Sequence, residues 1–382
     1  MHPVPEPARI LFLFSDTGGG HRSATEAIIE ALRLEYGNQI STEMVDIFLE
    51  VAPPPLDHLP GLYPKLVRLP RAWEIGYRLS DGDRRANLLA SSAWPYIRKS
   101  VQKLVAQHSC DMIVSVHPMA NSPLMRALNH RHIPFITVVT DLVTTHAFWY
   151  HPEVDLCLVP TPQAYDRAIS YGMQPERLRV VGLPVANRFC QPGNDPAILR
   201  SKFDWPHDRP VVLLAGGGEG MGPIERTARE ISENCPSISM VVITGRNQEL
   251  KERLEKIAWR IPTFIYGFVT EMPDFMRASD ILVTKAGPGT ISEALIANIP
   301  MILYSRLPGQ EDGNVEYIVS EQAGVWAPQP RKIVAALQDW LSNPEKRLQA
   351  VAACKRLARP RAAKETAQII GEYLDLKEQV YL

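Results

Sequence analysis

Short unbroken apolar runs, each followed by a polar or glycine-rich break and a segment of helical period, set the pattern of this chain. Ile10-Leu-Phe-Leu-Phe14 is the first run. It reads as a strand covered on both faces, as in a parallel sheet, because a half-exposed strand would alternate instead. Ser15-Asp-Thr-Gly-Gly-Gly-His21 follows as a turn, and then Ala24, Ala27, Ile28, Ala31 and Leu32 recur at helical spacing, giving one apolar stripe. The alternation returns at Asp111–Val116, Phe135–Thr140 and Asp155–Val159. Strands separated by helical segments predict βαβ units and a parallel sheet.

A second series opens at Pro210. Val211-Val-Leu-Leu-Ala215 leads into Gly216-Gly-Gly-Glu-Gly-Met-Gly222 and a helical segment from Ile224; apolar runs at 239–244, 263–266, 280–284 and 300–304 follow. Between the two series, Cys190-Gln-Pro-Gly-Asn-Asp-Pro196 is rich in turn formers and suits a linker. The expected architecture is α/β, with two Rossmann-like parallel-sheet domains facing each other across a cleft. The first spans 1–190 and the second 197–361, and a terminal helix over 362–382 packs back on the first.

Composition narrows the choice. A chain of 382 residues can bury two cores. Its net charge of -1 gives no global field for nucleic acid. Cys110, Cys157, Cys190, Cys235 and Cys354 are scattered and odd in number, without CxxC spacing, which points to a reducing compartment. No apolar stretch approaches the roughly 18 residues of a spanning helix, and Ile10–Phe14 is too short for a leader. The expected location is cytoplasmic.

Three glycine clusters follow apolar runs: Gly18–Gly20, Gly216–Gly222 and Gly287-Pro-Gly289. Gly20, Gly217, Gly218, Gly287 and Gly289 let the backbone approach a ligand, and a helix starting there adds its positive end. Neither GxGxxG nor GxxxxGK[ST] occurs, so dehydrogenase and P-loop readings lose their fingerprint. Thr290 opens a helix where it can hold a diphosphate. Glu293, one turn on, can accept both hydroxyls of a ribose. Gln310, Glu311 and Asn314 make a polar cluster suited to a polyhydroxylated ring. Diphosphate, ribose and hexose are the parts of a UDP-sugar.

Three stretches carry a resemblance to a known family: Asp16-Thr-Gly-Gly-Gly-His-Arg22; Thr137-Val-Val-Thr-Asp-Leu142 with His146, Trp149 and His151; and Lys285-Ala-Gly-Pro-Gly-Thr290 through Gly309-Gln-Glu-Asp-Gly-Asn314. In order and spacing they resemble the GT-B glycosyltransferases of family GT28, more closely the monogalactosyldiacylglycerol synthases and bacterial diacylglycerol glucosyltransferases. The resemblance implies inverting transfer of a hexose from a UDP-hexose to the free hydroxyl of diacylglycerol, galactose being favoured over glucose. It also implies that Phe268 stacks on uracil, with the backbone of Val269 beside it. Rival readings are a UDP-N-acetylglucosamine transferase or epimerase on the same scaffold, and a UDP-sugar-binding module without catalysis.

Inverting transfer needs a base near the acceptor hydroxyl. His21 is the first candidate, because it ends a glycine turn at a sheet edge and imidazole titrates near neutrality; the resemblance gives it the same role. Asp141, at the end of another apolar run, can orient His21 or act as base itself. His146, Trp149 and His151 on the next loop are candidates for the acceptor pocket, and His117 is a further one. Asp81-Gly-Asp83 matches a metal-holding string but reads as a turn. No cofactor and no metal are expected, with helix N-termini and loop amides stabilising the departing UDP. Residues 62–103 carry nine Lys or Arg against three acids, interleaved with aromatic and apolar residues. Arg68, Arg71, Trp73, Arg84 and Arg85 in this stretch suit peripheral attachment to an anionic membrane surface, here the cytoplasmic membrane.

Overall fold

A computed structural model describes residues 6–16, 19–50, 52, 58, 61, 69–128 and 133–377. It divides into two compact units. The first runs to Asn187 and takes in Pro308–Gln310 and the chain from Arg361; the second comprises Arg188–Leu307 and Glu311–Pro360.

In the first unit, β1 (Ala8–Phe14), β2 (Ile40–Asp46), β3 (Met112–Ser115), β4 (Phe135–Val138), β5 (Leu156–Val159) and β6 (Leu178–Val180) form one parallel sheet in the order β2-β1-β3-β4-β5-β6. The apolar runs become its central strands. Ile10 through Leu13 are each at most 1% exposed, because both sheet faces are covered. Burying one such Ile, Leu or Phe side chain contributes about 1.5–3 kcal/mol.

Helix α1 (Gly20–Tyr36) lays Ala24, Ala27, Ile28, Ala31 and Leu32 into the core. The last described helix of this unit, α6 (Ala362–Tyr373), adds Ala363, Ala367, Ile369 and Ile370 to that same cluster. Lys364 Nζ pairs with Glu35 at 3.0 Å. Two long helices, α2 (Pro70–Ser80) and α3 (Asp83–Gln107), precede β3.

In the second unit, β7 (Val211–Ala215), β8 (Ser239–Ile243), β9 (Thr263–Tyr266), β10 (Ile281–Lys285), β11 (Met301–Ser305) and β12 (Gly324–Trp326) form another parallel sheet, ordered β12-β11-β10-β7-β8-β9. Helix α4 (Ile224–Asn234) follows β7, and α5 (Pro288–Ile296) follows β10.

Each sheet reverses its direction of winding once. In the first unit the reversal lies between β1 and β3, and in the second between β7 and β10. Connections on either side of such a switch point run to opposite faces. The turns at its carboxyl ends therefore part and leave a crevice where ligands bind.

β2, β6 and β12 were not expected from the sequence. β2 is half-exposed, with burial alternating along Ile40–Met44, and β6 and β12 are three-residue edge strands. An edge strand needs no continuous apolar run.

Candidate functional site

In the first unit the turn after β1 delivers His21 to the switch point as the second residue of α1. Asp46 at the end of β2 holds this turn, accepting from the Asp16 amide at 2.9 Å. The Asp16 carboxylate in turn takes Arg22 through Nε at 2.6 Å and Nη2 at 2.5 Å. Of the first glycine cluster, Gly18 lies outside the described residues.

The His21 imidazole stands edge-on to that of His117, from the turn after β3, with ring centroids 4.6 Å apart. Its Nδ1 is 2.8 Å from Thr140 Oγ1. Loss of solvent pushes the His21 pKa down to about 4, against the opposite pull of a hydrogen bond with the Val116 backbone. His117 is also pushed well below the ordinary histidine range, first by desolvation and then by His21. Two imidazoles are thus kept neutral at neutral pH, and a neutral imidazole can accept a proton.

Thr140 was absent from the sequence-based candidates although it adjoins Asp141. Asp141 itself is buried, accepting from Trp149 Nε1 at 2.7 Å and from Gln310 Nε2 at 2.9 Å. Gln310, expected among the donor-binding residues, therefore groups with the first unit. Trp149 is fully buried, so its place is beneath Asp141.

His146 is buried too, its Nε2 3.1 Å from Ser80 Oγ and its ring stacked on Phe148. His151 is half-buried. Desolvation lowers the pKa of both.

Asp81 of the Asp-Gly-Asp string holds Arg167 at 2.5 Å, the Tyr171 hydroxyl at 2.9 Å and the Ala147 amide at 3.0 Å. That makes it a clamp on the 144–150 loop. Among the described residues, no group of three or more His, Cys, Asp or Glu side chains is placed to hold a metal ion.

In the second unit the two turns at the switch point meet. Gly217, at φ 74°, takes a conformation that only glycine adopts without strain. A β-carbon there would lie 3.4 Å from Lys285 Cε, and one on Gly287 would lie 2.8 Å from Lys285 Nζ. Lys285 thus fills the space that two bare glycines leave, at the N-terminus of α5. Its Nζ is 2.8 Å from Glu311 Oε1, and Glu311 Oε2 accepts from the Leu307 amide at 2.7 Å. Lys285 stood within the sequence motif but not among the candidate residues.

On α5, Gly289 and Thr290 are half-buried at the first turn. Glu293 follows one turn on. Desolvation pushes its carboxyl up to about 7, with Arg188 pulling the other way. Asn314 is buried and donates to the Ala286 carbonyl at 2.9 Å, bracing the turn before α5.

Gly218 accepts from the Arg246 amide at 2.8 Å. The Arg246 guanidinium lies 4.8 Å from the ring centre of the exposed Phe268, beside the half-buried Val269. An ammonium, a helix N-terminus without a side-chain cap and a carboxylate one turn along that helix are chemically suited to a phosphate attached to a polyol.

Of the basic stretch, Arg68 lies outside the described residues. On α2 and α3, Arg71, Arg84 and Arg85 are exposed and Trp73 is half-buried. Ile75, Leu79, Leu88 and Tyr96 are each at least 59% exposed. Among the described residues no helix is long and apolar enough to cross a membrane.

Comparison with known proteins bears on both units. Residues 21–185 match the family model for monogalactosyldiacylglycerol synthase, and 211–366 match the glycosyltransferase family 28 C-terminal domain. A probable monogalactosyldiacylglycerol synthase 2 of Oryza sativa, named as chloroplastic, is 39% identical over 87% of this chain and 74% of its own. Chloroplastic monogalactosyldiacylglycerol synthase 2 of Arabidopsis thaliana is 35% identical over 95% and 80%.

Among solved structures, Staphylococcus aureus MnaA with UDP superposes at a TM-score of 0.62, with 15% identity, covering 98% of this chain and 100% of that one. Acinetobacter baumannii MurG gives 0.60 and 14%, covering 96% and 100%. At such identity the likeness concerns the fold alone, which is GT-B.

The relatives also correct the expected compartment. They are named as chloroplastic, not cytoplasmic. Free cysteines speak only for a reducing environment, and that property does not separate one such compartment from another.

Proposed function

Because the chain belongs to the monogalactosyldiacylglycerol synthase family of glycosyltransferases, we propose that it transfers galactose from UDP-galactose, with inversion, to the free hydroxyl of 1,2-diacylglycerol at a membrane surface. The acceptor oxygen bonds to the anomeric carbon as the bond from that carbon to the β-phosphate oxygen breaks. The electron pair leaves with UDP, and the hydroxyl proton passes to a base, which we assign as His21. The observation that carries this reading is Lys285 seated between two glycine turns at the head of α5. A cation and a helix N-terminus converge there on one spot, which fits a diphosphate. Glu293 then receives the ribose hydroxyls.

The test is parallel incubation with diacylglycerol and labelled UDP-galactose or UDP-glucose, followed by anomeric analysis of the glycolipid. A β-galactolipid is the expected product. An α-linked product, or turnover of UDP-sugar without lipid, would refute the reading.

The membrane surface is assigned to α2 and α3, whose exposed apolar side chains stand among cations. Apolar groups of this kind enter the interface while Lys and Arg meet anionic head groups at about 1 kcal/mol each. Sedimentation with phosphatidylglycerol vesicles should weaken when Arg71, Arg84 and Arg85 become Ser. Equal binding to neutral vesicles before and after that change would remove the assignment.

A further inference from the structure

We propose that Lys285 carries the charge of the departing UDP and that Glu311, next to the polar sugar cluster, is its positioning residue and not a sugar contact. This rests on the donor site assigned above.

Three observations converge. The Glu311 carboxylate is only 5% exposed, and each oxygen is engaged, one by Lys285 Nζ and the other by the Leu307 amide. A carboxylate so placed is poorly suited to reach the hydroxyls of a hexose. Second, β10 shifts its register against β11 between Thr284 and Lys285, so the pairing is irregular at Lys285, the last residue of β10 before α5. Third, its ammonium lies where a β-carbon on Gly287 would crowd it and its stem where one on Gly217 would touch. The two turns are bare where the cation stands.

An ammonium has three donors. Glu311 takes one, which leaves two for phosphate oxygens at the N-terminus of α5. As the bond from the anomeric carbon to the β-phosphate oxygen breaks, the electron pair moves onto that oxygen, and Lys285 stands as a positive charge beside the helix head. Held from behind by Glu311, it needs little reorganisation as the charge develops.

Calorimetric titration of the full chain with UDP and with uridine, together with steady-state kinetics, tests this. Lys285→Gln is expected to weaken UDP binding about 10- to 100-fold, the range of a charge-assisted hydrogen bond. Uridine binding should be unchanged, and it doubles as the control for folding. Lys285→Arg should recover part of the loss. Glu311→Gln should lower kcat while leaving UDP affinity within about threefold, and should add little in the Lys285→Gln background, because coupled residues are not additive.

Wild-type UDP affinity in Lys285→Gln would overturn the role of Lys285. Additive effects, or a rise in KM for UDP-galactose confined to Glu311→Gln, would return Glu311 to the sugar. Failure of the wild-type chain to bind UDP at all would instead overturn the donor site itself.

Discussion

The two units share a six-stranded parallel sheet and a single switch point, yet they furnish those switch points with opposite chemistry. In the first, the turns after β1 and β3 bring two imidazoles within 4.6 Å, both held neutral by loss of solvent. In the second, the turns after β7 and β10 bring bare glycine around an ammonium, with a carboxylate whose proton is held up to about 7. One architecture thus holds uncharged imidazoles at one switch point and a cation beside a helix N-terminus at the other. The strand order decides where a site lies, and the few residues in two turns decide what it does.

The sharpest way to break this contrast is to alter the first unit and watch the second. His21→Ala should lower kcat by about 10²–10⁴-fold, the usual worth of a general base, while UDP affinity stays unchanged. Thr140→Val should give a smaller loss that Thr140→Ser restores. At saturating UDP-galactose, the wild-type acid limb of kcat should lie near pH 4 and not near 6.5, because the imidazole is deprotonated above its lowered pKa. A parallel collapse of UDP binding in His21→Ala would erase the division of labour.

The second unit has its own pH signature. With the Glu293 carboxyl raised to about 7, a ribose-accepting carboxylate is available only above that point. UDP affinity should therefore strengthen as pH rises from 6 to 8, by up to about tenfold, and this slope should vanish in Glu293→Gln. The same shift acts on stability with the opposite sign. Between about pH 4.5 and 7 the folded state holds the proton that the unfolded chain releases, so stability falls as pH rises through that range. A thermal melting series on Glu293→Gln that keeps the wild-type slope would reject this account.

The smallest effect belongs to His108, which takes part in neither group. His108 Nδ1 lies 2.9 Å from Glu43 and Nε2 3.4 Å from Glu50, which raise its pKa. The pair stabilises below the ordinary histidine range and is lost as pH rises through the raised value. His108→Gln should cost about 0.5 kcal/mol or less at pH 6, as for other surface pairs, and nothing at pH 9. Equal melting shifts at both values would contradict it.

Much of this was legible beforehand. Continuous apolar runs became the central strands, and the stripe along α1 became core, because complete burial leaves a simple mark on sequence. Half-exposed β2 and the short edge strands left no such mark. That His21 and Glu293 stand just after glycine turns was visible in the sequence. The part of Thr140 was not, since its pairing with His21 spans 119 residues and nothing in Val-Val-Thr-Asp141 says which polar side chain turns toward it. Glu311 was expected at the sugar because composition reveals a carboxylate but not its partners. Both of its oxygens proved to be engaged.

Helix α6 supplies four residues to the cluster built on α1, and the Tyr36–Gln368 contact closes a loop of 332 residues. On a ribosome, the first unit must wait for α6, made long after α1, before this cluster is complete. The second unit, continuous but for a three-residue break, can finish while the first is still short of a helix. Contacts of that sequence separation form slowly, so the docking of α6 is expected to come late in the folding of the first unit.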